Sequence, residues 1–152
     1  MDRNALEHNV YYSHYLEKMF SVATDRIDKA ITFLLLLTGS AVFASYGSNV
    51  FFGFFVAFLS SASLVYEFGK RSSVSAEQAK AYHRLMISMD KLSDDDLLSK
   101  FQEINKADTR PWNSLTVSAR KRAIVARIGI DSEGVKYTKF QYIMARLGGE
   151  FI

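Results

Sequence analysis

From Ala30 to Tyr66 the chain carries no charged residue, a run of 37 positions closed by Lys29 and Glu67. A stretch of 18 or more apolar residues has the length and solvation of a membrane span, and this one is long enough for two short ones. The 19 Lys and Arg and 16 Asp and Glu all fall in the other positions, which therefore read as ordinary water-facing protein. An ordinary soluble domain is excluded.

The run divides at Tyr46-Gly47-Ser48-Asn49, where Gly and Asn tolerate turn backbones. Ala30–Tyr46 and Val50–Tyr66 remain, 17 residues each, or about 25 Å of helix against a hydrocarbon core of about 30 Å. Ile27 extends the first, with Asp28 and Lys29 at headgroup level, so spans are expected at about 28–46 and 50–66. Tyr46 and Tyr66 lie at the ends, as interfacial aromatics do. The turn is uncharged while Arg26, Lys29, Lys70 and Arg71 flank the other side, which sets both termini in the cytoplasm by the positive-inside rule. Gly53 and Ala57 have the small-xxx-small spacing that lets helices approach closely, either within the hairpin or between copies. Between Ala30 and Tyr66 there is no Asp, Glu, Lys, Arg or His, the usual mark of a transporter's ion pathway.

The remainder reads as helix throughout. Ala5–Lys29 places Leu6, Val10, Leu16, Met19, Phe20, Ala23 and Ile27 at helical spacing and continues into the first span. Ser75–Leu92 repeats the pattern with Ala79, Tyr82, Leu85, Met86 and Met89. Ser93 ahead of Asp94-Asp95-Asp96 is a helix start rather than a metal site, since three adjacent carboxylates diverge on a helix. That helix, with Leu97, Leu98, Phe101 and Ile104, ends before Pro111, and Trp112 reads as a core anchor. Further helices are expected from Asn113 to Ile128, ending at Gly129, and over Tyr137–Leu147, with a turn at Asp131–Gly134 between them. The expected fold is all-α: an N-terminal helix and transmembrane hairpin in residues 1–69, and a small helical domain in residues 70–152.

Chemistry is sparse. The absence of Cys removes disulfides and thiolate sites, and Met1-Asp2-Arg3-Asn4 does not open a cleavable signal peptide. His8, His14 and His83 have no metal-ligand or triad company. Gly69-Lys70-Arg71-Ser72 lacks the earlier glycine of a phosphate loop, Leu64 standing there. No enzyme, metal or cofactor is expected. Charge is the better guide: residues 109–152 hold eight basic and three acidic groups, while each preceding polar segment is slightly acidic. Arg120, Lys121, Arg122 and Arg127 crowd one helix, followed by Lys139, with Arg110 and Trp112 ahead. Guanidinium forks suit phosphate oxygens and aromatic rings suit bases. A phosphate-rich ligand, anionic lipid headgroups and a plain solvated face all fit this stretch. His83 and Arg84 are outlying members of the candidate set.

A short N-terminal helix, two spans with a tight polar turn at Gly47–Asn49 and a basic helical C-terminal part, Arg110–Lys139, resemble the small membrane effectors of type III CRISPR antiphage defence. The layout is also similar to two-span SLATT-type defence effectors. The resemblance implies a protein of the bacterial inner membrane whose C-terminal domain binds a cyclic oligoadenylate, cyclic tetra-adenylate foremost. Binding would open or perturb the membrane through a homo-oligomer, a tetramer or larger, with no role for duplex nucleic acid. Arg120, Lys121, Arg122, Arg127 and Lys139 would then contact phosphate. A phage or prophage two-span protein, holin-like or excluding superinfection, and a lipid- or protein-binding scaffold are the alternatives.

Overall fold

The computed structural model describes residues 2–43, 49–129 and 137–150, and these are all-α, without a strand. The expected turns at Gly47-Ser48 and Asp131–Gly134 lie outside the described residues. Helix α1 runs unbroken over Arg3–Phe43, 41 residues, or about 60 Å at 1.5 Å per residue. No Gly or Pro interrupts it before Gly39. Helix α2 is Asn49–Tyr66 and α3 is Phe68–Ser88. They are separated by Glu67 alone, in the left-handed region at φ 46°.

Hydrogen bonding continues across that residue: Glu67 N–H donates to the Ser63 carbonyl and Arg71 N–H to the Glu67 carbonyl, each at 3.0 Å. A left-handed non-glycine costs about 1–2 kcal/mol. The flanking rings of Tyr66 and Phe68 stack across it at 5.4 Å, and Lys70 Nζ lies 3.3 Å from its carboxylate.

Among the described residues, α2 begins the one stretch of helix long and apolar enough to cross a membrane. Val50, Phe51, Phe54, Phe58, Leu64 and Val65 are exposed along it. Phe33, Leu34, Leu36 and Leu37 are exposed on the C-terminal half of α1, against which α2 packs. The described part of α1 ends at Phe43, so its charge-free portion is about 21 Å long, short of a full span by itself. No heavy atom lies within 4 Å of a Cβ built at Gly53, so the small-residue spacing faces away from α1.

Helix α3 returns antiparallel along the polar half of α1. Gly69 sits against Asp28, where an added Cβ would come within 3.2 Å of Oδ2. Ser72 Oγ donates to the Ser21 carbonyl (3.0 Å), Ser75 Oγ to the Glu17 carbonyl (2.7 Å), and His14 Nδ1 to the Ala79 carbonyl (2.8 Å). Each step back along α1 is matched by a step forward along α3. Gly, Ser and Ala at this seam let the backbones approach closely.

After a short 3-10 turn at Met89–Lys91, α4 covers Asp94–Asn105. Ser93 caps it through Asp96 N–H at 3.2 Å, as its sequence requires. Arg3 ties the start of α1 to this corner, donating to the carbonyls of Met89 (2.9 Å) and Leu92 (3.1 Å) and pairing with Asp94 (2.6 Å). A 3-10 turn at Asn113–Leu115 leads into α5, Thr116–Ile128, closed by Gly129 at φ 75°. Helix α6 is Lys139–Leu147, begun by a capping box of Thr138 and Gln141.

Two cores flank α1. Leu6 and Val10 pack with Tyr82, Leu85, Met89 and Leu97. Met19 and Phe20 pack with Leu115, Ala119 and Met144, with Trp112 edge-on to Phe20 at 5.1 Å. Burying four such α1 side chains is worth about 6–12 kcal/mol. The polar half of α1 is therefore the spine of the helical module, and both cores that residues 70–152 contribute to also contain its side chains.

Candidate functional site

Arg122 is the member of the sequence-derived set that joins a cluster of cations. Beside α1 it lines a cleft of about 410 Å³ with Lys18, Val22, Arg26 and the Gly148-Gly149-Glu150 segment after α6. Helical spacing explains the α1 contribution: Lys18, Val22 and Arg26 are four apart and share one face. Arg122 lies 5.8 Å from the Tyr15 ring centroid, a cation–π distance, and 3.8 Å from the Glu150 carboxylate. Arg26 reaches across to cap α6, donating to the carbonyls of Arg146 (2.7 Å) and Leu147 (3.0 Å). Lys18 is exposed and has no ion-pair partner among the described residues. Three cations face one carboxylate, an arrangement suited to anionic oxygens. Gly148 packs closely here, since an added Cβ would lie 3.1 Å from that of Met19.

The other expected residues scatter, because consecutive positions on α5 diverge by about 100°. Arg127 turns back to α1, donating to Asn4 Oδ1 at 2.7 Å and pairing with Glu7 at 3.4 Å. Arg120 is exposed; with Arg127 it adds to the burial that lowers the affinity of His8 for a proton. Lys121 is half-buried, and Lys139 is exposed at the first position of α6. Arg84 faces a separate groove with Lys100 and Glu103. His83 lies with His14 in a groove between α1 and α3, their rings 5.4 Å apart. Sequence reading missed Lys18 and Arg26, which stand far from the basic C-terminal stretch. Their four-residue spacing was the available signal.

A buried acidic network lies on another side of α1. Glu17, 2% exposed, accepts from Thr109 N–H (3.0 Å) and Thr109 Oγ1 (2.7 Å), and its carboxylate shares the one Ser75 hydroxyl proton with its own backbone carbonyl. Asp108 Oδ2 accepts from Tyr82 OH at 2.7 Å, while Oδ1 is buried with no hydrogen-bond partner among the described residues. Burial, reinforced by the Glu17 charge, pushes the Asp108 carboxyl up to about 6 against the Tyr82 hydrogen bond. Tyr82 is itself pushed up, first by burial and then by the Asp108 contact. Neutral donors around the Glu17 carboxylate mark a joint between α1, α3 and the Thr109 loop. No group of three or more metal-ligating side chains occurs among the described residues.

No family model matches the chain, and no curated protein or solved structure matches it.

Proposed function

We propose that the chain is a membrane effector of bacterial antiphage defence and not an enzyme. Its two spans anchor it in the inner membrane with both termini in the cytoplasm. Its cytoplasmic module binds a cyclic oligoadenylate, most simply cyclic tetra-adenylate, and binding shifts a homo-oligomer toward a membrane-perturbing arrangement. The observation that carries this reading is the cationic cleft of Lys18, Arg26 and Arg122 on the same helix that enters the apolar belt. A ligand held between α1, α5 and α6 acts directly on that helix, and differential affinity for one helix arrangement is what shifts a population. The outward stripe of Gly53, Ala57 and Ser60, all exposed in the single chain, supports packing against other copies.

Depth along α1 favours a soluble ligand over a lipid headgroup. Arg26 is about 6 Å from the start of the uncharged run, but Lys18 is about 18 Å away, beyond a headgroup layer of about 5–8 Å. The test is dye release from liposomes carrying the full-length protein. Cyclic tetra-adenylate should trigger release, and Lys18→Ala/Arg122→Ala should suppress it. Release that is absent or unchanged by the double substitution refutes the reading.

A further inference from the structure

The cationic cleft has a neighbour across a ridge one side chain wide. Lys18 and Val22 line the cleft on the α5–α6 side, and the same two residues line a groove of about 310 Å³ on the α3 side, with Ala76, Ala79, His14 and His83. The two hollows differ in chemistry. The first gathers cations. The second has a small, apolar floor of Val22, Ala76 and Ala79 with imidazoles at its edge. Lys80 also borders it, in an exposed pair with Glu77 at 2.8 Å, and Lys18 is the cation both hollows share.

Resting on the reading of the cleft as a phosphate site, we infer that the two hollows form one bipartite nucleotide site astride α1. The phosphate lies with Lys18, Arg26 and Arg122, and the base lies on Ala76 and Ala79. Alanines let a flat ring approach the backbone of α3 closely. His14 is 9% exposed and donates Nδ1–H to the Ala79 carbonyl at 2.8 Å. Burial lowers its proton affinity, so neutral His14 presents Nε2 as an acceptor for an exocyclic amine. His83 is exposed, its ring tilted 33° to that of His14, and offers a face on which a base stacks. A lipid headgroup would have to descend about 18–24 Å from the start of the uncharged run, beyond the headgroup layer.

The experiment is calorimetric titration of the full-length chain in nanodiscs of uncharged phospholipid, with adenosine 5′-monophosphate and with ribose 5-phosphate. The base should tighten binding by about tenfold, the scale of one stacked base. His83→Ala, at an exposed position, and Ala76→Leu, which fills the floor, should each erase that preference while leaving ribose 5-phosphate affinity unchanged. Arg122→Ala should weaken both ligands. Equal affinity for the two, or a preference untouched by His83→Ala and Ala76→Leu, overturns the base groove. If Arg122→Ala still weakens both, the cleft reading survives that failure. Binding of neither ligand overturns both. Trp112 fluorescence, the signal of the single tryptophan, checks that each variant folds.

Discussion

Replacing Asp108 with Asn should stabilise the helical module, and the size of the gain follows from its surroundings. The folded carboxyl holds its proton up to about pH 6, against an ordinary 3.8, because one oxygen is buried without a partner and Glu17 adds negative charge nearby. Converted at 1.36 kcal/mol per pH unit, the ionised form costs about 3 kcal/mol in the folded state. Asp108 is only half-buried, and solvent screening reduces this to about 1–2 kcal/mol. The sign is fixed by linkage: the folded state binds the proton more tightly, so the Asp108 contribution is most favourable below pH 4. It is lost progressively between about pH 4 and 6 and stays lost above. Asn keeps an acceptor for Tyr82 OH and carries no charge. Asp108→Asn should therefore gain about 1–2 kcal/mol at pH 7.5 and almost nothing at pH 3, read as the difference from wild type in denaturant unfolding followed by Trp112 fluorescence. An equal loss at both pH values would show that the Tyr82 hydrogen bond outweighs the burial of charge, and would refute the reasoning.

Three further outcomes follow from the packing. A fragment of residues 70–152 should lack cooperative unfolding, because Leu6, Val10, Met19 and Phe20 of α1 fill both cores; circular dichroism and thermal melting decide this, and a sharp melt would contradict it. Gly148→Ala should cost about 1–3 kcal/mol in unfolding free energy, since its Cβ meets that of Met19 at 3.1 Å, whereas Gly53→Ala, in open space, should leave a dilute monomer unaffected. Ser73→Cys, exposed at the start of α3 in a chain without other cysteines, should react with a membrane-impermeant maleimide only after spheroplasts are permeabilised. Labelling of intact spheroplasts would reverse the proposed topology.

Element identity follows closely from local chemistry. Ser93 and the three following aspartates place the start of α4, Gly129 ends α5, and the uncharged run contains α2 almost residue for residue. These are features of neighbouring residues, which a single sequence records. The start of α3 escaped such reading. Glu67 adopts a left-handed conformation that glutamate rarely takes, so helix resumes at Phe68, whereas the spacing of apolar residues suggests Ser75. The α1–α3 seam is made of Gly69, Ser72, Ser75 and Ala79, of which only Ala79 belongs to the apolar pattern. The cationic region was apparent as composition, but its geometry was not. A run such as Arg120-Lys121-Arg122 spreads around a helix, and which of its members meets Lys18 and Arg26 depends on how α5 rotates against α1. That rotation is set by the long-range packing of Leu115, Ala119 and Met144 on Met19 and Phe20.

The decisive measurement is the affinity of the full-length protein, in nanodiscs of uncharged lipid, for cyclic tetra-adenylate, compared with the Lys18→Ala/Arg122→Ala variant. Saturable one-site binding that weakens at least about a hundredfold in the variant is expected, the loss of two charge-assisted phosphate contacts. Affinity unchanged by the double substitution, or no binding by the folded wild type, would contradict a phosphate-binding cleft on the spine helix.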